Sequence, residues 1–223
     1  MKKDGKKMRK KDEHLISLIY RPLTEKITKL LLRTSVTPNQ ITTFGIIISL
    51  ISGILFSFGD YRNIFIAGIL AQFTLICDLL DGQIARAKNM RSVFGEWYDM
   101  NANKIMKYFM ILGAGFGVYR FSNNPLILVV TSAAIFNITM ISFVSNMRHF
   151  FDAFKGHTEL PKAKGFFLPF GMLTTTLLTI AALFNKVSWF LWFFAIFGTL
   201  GWIKQFISHY KLGKGNKKVT IRS

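Results

Sequence analysis

Cysteine is almost absent from this chain: Cys77 stands alone among 223 residues. No intrachain disulfide can form, and a thiol set within an apolar run reads as a small buried hydrophobe. The histidines, His14, His149, His157 and His209, are scattered, with no spacing that suits a metal site or a catalytic pair. No repeat of solenoid period is evident. The basic start is not followed by a short apolar stretch with a small-residue cleavage site, so no cleaved signal peptide is expected. Acids are scarce too, 11 Asp and Glu against 29 Lys and Arg, for a formal charge of +18. Such an excess could serve nucleic acid. The bases instead sit in a block at the start (Lys2, Lys3, Lys6, Lys7, Arg9, Lys10, Lys11), in alternate loops and in a tail (Lys211, Lys214, Lys217, Lys218, Arg222). That pattern excludes a nucleic-acid partner and points to anionic lipid.

Long apolar runs are abundant. Ile41 to Phe58, Pro125 to Met147 and Phe166 to Phe184 contain no charged residue. At about 1.5 Å rise per residue, each crosses most of a hydrocarbon layer roughly 30 Å thick. The expected fold is all-α and polytopic, with six transmembrane helices near 41–58, 63–86, 93–119, 125–148, 166–184 and 188–209. The connections near 59–62, 120–125 and 185–188 carry only Arg62, Arg120 and Lys186. The 86–92 turn (Arg86, Lys88, Arg91) and the 148–165 loop (Arg148, Lys155, Lys162, Lys164) are richer in bases. This bias puts the second set, and both termini, in the cytoplasm. Ahead of the first span, residues 14–33 carry Leu15, Ile19, Leu23, Ile27, Leu30 and Leu31 at helical spacing, with Thr24, Glu25, Lys26, Thr28 and Lys29 opposite. They predict an N-terminal amphipathic interfacial helix that Pro22 bends or delays. Thr37-Pro38-Asn39 reads as the start of the next helix. The expected organisation is a basic N-terminus and interfacial helix over 1–36, a six-helix domain over 37–210 and a basic tail over 211–223.

Three aspartates lie close together, at the junction of the second and third spans. Asp78 and Asp81 are three apart, with Gly82 and Ala85 continuing that face; Gly95, Asp99 and Asn103 are spaced by four. An antiparallel pair of helices joined by the 86–92 turn would bring the two faces together near the cytoplasmic surface. A carboxylate in a spanning helix costs up to roughly 2.5–3.5 kcal/mol, and three together repel. A divalent cation offsets that repulsion, since hard cations prefer oxygen ligands, and Asn103 can add an amide oxygen. Arg86 offers a planar fork for phosphate, and Gly82, Ala85 and Gly95 let a ligand approach closely. Together they describe a site for a nucleotide diphosphate. Two blander readings compete: pairing of the acids with Arg86, Lys104 and Lys107 to fasten helices, and an ion pathway. The latter would need acids at the centres of spans four to six, which hold none.

The segment Asp78-x-x-Asp81-Gly82-x-x-Ala85-Arg86-x8-Gly95-x-x-x-Asp99-x-x-x-Asn103 resembles the signature of the CDP-alcohol phosphotransferases (CDP-alcohol phosphatidyltransferases), D-x-x-D-G-x-x-A-R-x8-G-x-x-x-D-x-x-x-D. The spacing agrees throughout, and only the last position differs. The resemblance implies that Asp78, Asp81 and Asp99, with Asn103, hold Mg2+ or Mn2+. It implies that Asp78, Asp81, Gly82, Ala85, Arg86 and Gly95 bind the nucleotide, with Arg86 on the diphosphate. Asp99 and Asn103 stand at its catalytic positions. The implied reaction is metal-dependent transfer of a substituted phosphate from a CDP-alcohol, such as CDP-diacylglycerol, to an acceptor alcohol with release of CMP, in phospholipid or polar-headgroup synthesis. A homodimer with a cytoplasmic active site is implied as well.

In the family the last aspartate is thought to take the acceptor's proton, which an amide cannot do near neutral pH. Asn103 therefore leaves three accounts: a disabled variant, a member with another base or an already ionised acceptor, and a catalytically impaired membrane module that binds CDP-alcohol or cation without reacting. Arg148, at the cytoplasmic end of the fourth span, and Arg91, in the 86–92 turn, are the candidates for an anionic acceptor. The Asn137-Ile-Thr139 glycosylation pattern lies inside an expected span and is discounted.

Overall fold

The computed structural model describes residues 15–154 and 170–215. Among them are seven helices and no strand: α1 (Leu15–Leu31), α2 (Pro38–Phe58), α3 (Tyr61–Ala87), α4 (Val93–Ser122), α5 (Leu126–Phe154), α6 (Phe170–Leu183) and α7 (Val187–Gly215). Four stretches are long and apolar enough to cross a membrane: Pro38–Phe58, Tyr61–Ala87, Leu126–Val144 and Val187–Ile207. α4 has 30 residues, but Glu96, Asp99, Lys104, Lys107 and Arg120 interrupt its apolar character. α6 carries no charge over its described length, Phe170–Leu183, and the start of that expected span, 166–169, lies outside the described residues.

Local chemistry fixes the helix starts. Thr37 opens α2 with a capping box: its hydroxyl accepts from the Gln40 amide, and the Gln40 side chain accepts from the Thr37 amide at 2.9 Å, with Pro38 in the first turn. Ser92 opens α4 by accepting from the Gly95 amide at 3.0 Å. Gly59, at φ +80°, closes α2 in the left-handed conformation that glycine adopts freely.

α2 packs against both α3 and α4, which themselves touch little. The expected direct pairing of α3 with α4 is thus replaced by a three-helix arrangement with α2 as the wedge. The cause is the buried small-residue face of α2, which includes Thr42, Gly45, Ser49, Ser52 and Gly53. Small residues let backbones approach, and Ser52 donates to the Ala67 carbonyl of α3 at 2.8 Å. Elsewhere α5 packs on α7. There the buried Asn137 donates to the Phe194 and Ala195 carbonyls and accepts from Thr199 and from the Trp202 indole. The discounted glycosylation pattern is therefore an interhelical clasp. Phe56, Ile111, Leu178 and Leu191 sit in the main apolar core.

α1 departs from expectation. Thr24 and Thr28, assigned to its outer polar side, are buried against α3. The Gln83 side chain donates to the Thr24 hydroxyl at 2.8 Å and accepts from that of Thr28 at 2.7 Å, and Tyr20 donates to Gln72 at 2.7 Å. The two glutamines of α3 need polar partners when covered, and the threonines supply them. Ile19, Leu23 and Leu30 stay exposed. The helix is already formed at Leu15, the first described residue, and runs through Pro22, which does not delay it.

Candidate functional site

The cytoplasmic-loop ends expected for α3 and α4, together with the start of α2, enclose a cavity of about 500 Å³. Asp81, Gly82, Ala85 and Arg86 line it from α3, Gly95 and Asp99 from α4, and Arg91 from the turn between them. Pro38, Asn39 and Thr42 form the α2 wall, with Ser92 and Glu96 at the start of α4. Seven residues singled out from sequence thus surround one space. The small residues leave it open: a Cβ on Gly82 would meet nothing nearer than the Arg86 guanidinium at 3.4 Å, the mobile end of a side chain.

The acids divide into two arrangements. Asp81 is 4% exposed and accepts from the Thr42 hydroxyl at 2.6 Å. Asp78 and Asp99 are half-buried and share Asn103, whose amide nitrogen donates to one oxygen of each, at 2.5 and 2.8 Å. Asn103 therefore presents N–H groups where positive charge is called for between two carboxylates. Oxygen-only donors on neighbouring helices suit Mg2+ or Mn2+ chemically. Among the described residues, however, no three acids stand as a ready ion cage.

Arg91 lies at the rim, where it meets Glu96 at 3.4 Å. Both partners are exposed, so this pair contributes little stability and leaves the arginine accessible. Arg148 belongs to α5, but its side chain, like Lys155, Lys162 and Lys164, lies outside the described residues. The α2 wall was not foreseen. Thr42 follows the recognised Thr37-Pro38 start by little more than a turn, and Thr42-x-x-Gly45-x-x-x-Ser49 is a small-residue stripe that signals close helix approach. That stripe was the available clue.

The sequence profile of the CDP-alcohol phosphatidyltransferase family matches residues 35–204. The archaetidylinositol phosphate synthase of Pyrococcus horikoshii is 32% identical over 99 residues, 44% of this chain and 50% of that protein. A bifunctional IPC transferase and DIPP synthase of Thermococcus kodakarensis is 29% identical over 151 residues, 66% of this chain and 33% of that one. The chain thus spans half of the first relative and a third of the second. In fold, it is similar to the phosphatidylinositol phosphate synthase of Mycobacterium tuberculosis. With the form solved with CDP-DAG bound, the TM-score is 0.70 at 18% identity, over 90% of this chain and 100% of that one. With the form in complex with manganese and citrate it is 0.69 at 18% identity, over 88% and 93%.

Proposed function

Because the chain belongs to the CDP-alcohol phosphatidyltransferase family, we propose that it transfers a substituted phosphate from a CDP-alcohol to an acceptor alcohol and releases CMP. CDP-diacylglycerol is the donor we favour, since the protein is an integral membrane one with long apolar helices. The observation that carries this reading is the single cavity shared by Asp81, Gly82, Ala85, Arg86, Gly95 and Asp99. Its volume suits a nucleotide headgroup, and its charged and small residues are those of the family signature.

In this reading Gly82, Ala85 and Gly95 form the floor on which the cytidine end lies, and Arg86 grips the diphosphate with its fork. The acceptor oxygen forms a new bond to the phosphorus that carries the donor alcohol. The bond from that phosphorus to the bridging oxygen breaks, CMP leaves with that oxygen, and the acceptor's hydroxyl proton passes to water, since the Asn103 amide cannot take it. Asp78, Asp81, Asp99 and the Asn103 position would hold Mg2+ or Mn2+, which when bound offsets charge on the phosphoryl oxygens and the leaving nucleotide. Arg91 at the rim, and Arg148 of α5, would receive an acceptor that bears its own phosphate. The support for a six-span topology is the uncharged sequence of α6 and the total length of α4, beside the four clear spans. The base-rich 86–92 turn supports a cytoplasmic site. Pairing as a homodimer is part of the same reading.

A second reading, a binding module with impaired turnover, is favoured by Asn103, which donates to the two acids and cannot take the acceptor's proton. Purified protein with CDP-diacylglycerol, Mg2+ and a panel of alcohols tests both. Transfer predicts CMP release that rises about 10²- to 10⁴-fold in Asn103→Asp, the usual range for restored general-base assistance. Donor-dependent thermal stabilisation with no CMP from either chain would leave only the module, and neither signal would end both readings.

A further inference from the structure

Of the three bases in the 86–92 turn, Arg86 lines the cavity and Arg91 stands at its rim, whereas Lys88 reaches another segment of the chain. Lys88 caps the C-terminal end of α3. The next residue, Asn89, takes the left-handed conformation, and the Met90 amide donates back to the Ala85 carbonyl at 2.9 Å. This closure fixes where the lysine leaves the helix. A lysine at such an end commonly serves the last carbonyls of its own helix. The Lys88 ammonium instead donates to the Thr34 carbonyl at 2.7 Å and the Val36 carbonyl at 2.8 Å. Both acceptors lie between α1 and α2, in a stretch that is neither helix nor strand. The Val36 side chain packs against Ile41, Cys77, Leu80 and Ile84, so apolar contact joins the same corner. Two residues after Val36 the α2 wall of the cavity begins, with Pro38, Asn39 and Thr42. That wall therefore starts from a point tied to the helix that bears Gly82, Ala85 and Arg86. Since α3 and α4 touch little, the place of α2 against α3 sets the width of the cavity.

We propose that Lys88 is a positioning residue: its ammonium straps the 34–36 stretch to the end of α3 and so holds the α2 wall where the CDP-alcohol donor needs it. The proposal rests on the transferase reading for the identity of the ligand, but not for the strap. Without the ammonium, water satisfies the two carbonyls and does not hold them in place. Little stability is lost that way. The entry to α2 gains freedom, however, which donor binding must then remove. A lysine that only attracted an anionic donor would act through solvent, and salt would screen it. A short-range strap keeps its effect in salt.

The test uses the detergent-solubilised full chain with Mg2+, beside Lys88→Met and Lys88→Arg. Hydrogen exchange is followed at the amides of Thr37, Gln40 and Ile41, whose bonds close the first turn of α2. In Lys88→Met these amides should exchange about fivefold faster, the effect of about one net hydrogen bond, while the melting temperature holds. Titration with CDP-diacylglycerol should show binding weakened by about the same factor, at low and at high salt alike. Lys88→Arg keeps a cationic donor at the same place and should restore both. Should Lys88→Met not fold, Lys88→Gln, too short to reach both carbonyls, takes its place. Unchanged exchange in that variant overturns the strap. Faster exchange with unchanged donor affinity, or a loss of affinity that salt abolishes, overturns the positioning role. No donor binding by the unsubstituted chain ends the transferase reading and the positioning role with it, and exchange then decides the strap alone.

Discussion

Two sets of glycines line the helices around α2, and their surroundings differ. Away from the cavity, along the α2–α4 contact, a Cβ on Gly113 would lie 1.9 Å from the Gly53 carbonyl oxygen. One on Gly117 would lie 2.0 Å from that of Phe56, and one on Gly53 2.4 Å from that of Phe109. At the cavity, Gly82 meets only the end of Arg86 at 3.4 Å, and Gly95 meets the Ser92 hydroxyl at 3.1 Å and Asn39 at 3.5 Å. The first set has backbone where a side chain would be; the second meets only side-chain atoms. One residue type therefore serves two purposes: where the space is filled by another helix it makes the fold, and where it is left open it admits a ligand. Composition cannot separate these cases, since the neighbour decides.

The largest expected effect tests the filled set. Gly113→Ala places a methyl into a backbone carbonyl that cannot rotate away, so α2 and α4 must part. Overpacking of this kind costs about 3 kcal/mol or more. The expected outcome is a large fall in melting temperature, or no monodisperse protein in detergent. A variant melting within a degree or two of the unsubstituted chain would show that the two backbones are not in contact.

Gly82→Ala tests the open set and should have the opposite sign on stability. Its methyl needs only a shift of the Arg86 fork, and alanine is the better helix former by roughly 0.5–1 kcal/mol. The melting temperature should hold or rise slightly. The methyl also enters the cavity, so the KM for the CDP-alcohol donor should rise about tenfold, from the penalty for overfilling a packed site. A fall in stability with donor KM unchanged would move Gly82 into the first set and break the comparison.

Much of this fold was legible because length and apolarity are local properties. α2, α3, α5 and α7 follow their expected spans to within a few residues, and the Thr37-Pro38 start lies where its chemistry put it. The motif brought Asp81, Gly82, Ala85, Arg86, Gly95 and Asp99 to one cavity, since turn and helix periods fix which residues share a face. What sequence did not show depends on a third helix. Nothing in the 78–103 segment says that Thr42 bonds Asp81, or that α2 stands between α3 and α4. Thr24 and Thr28 were misassigned for the same reason: a threonine on an amphipathic helix looks solvent-facing until Gln83 is placed opposite. Nor does the segment say that the Asn103 amide nitrogen bonds both Asp78 and Asp99, an orientation that two neighbouring carboxylates impose.

The smallest expected effect concerns an acid at the far end of the bundle, where the contrast is between charges rather than glycines. Asp60 begins α3 and accepts from the Asn63 side chain at 2.6 Å and the Asn63 amide at 3.1 Å. Those bonds hold its carboxyl below the usual carboxylate range. A depressed folded value means that the ionised cap contributes stability above the unfolded value of about 3.9. That contribution is lost as pH falls through the lower folded value. Asp60→Ala should therefore melt slightly below the unsubstituted chain from pH 5 to 8, with the gap narrowing below pH of about 4. Because the donors to Asp60 are local, added Mn2+ should leave the gap unchanged. A gap that closed on adding Mn2+ would mean that this acid, too, belongs to a cation site, and the two ends of the bundle would no longer differ in the use they make of carboxylates.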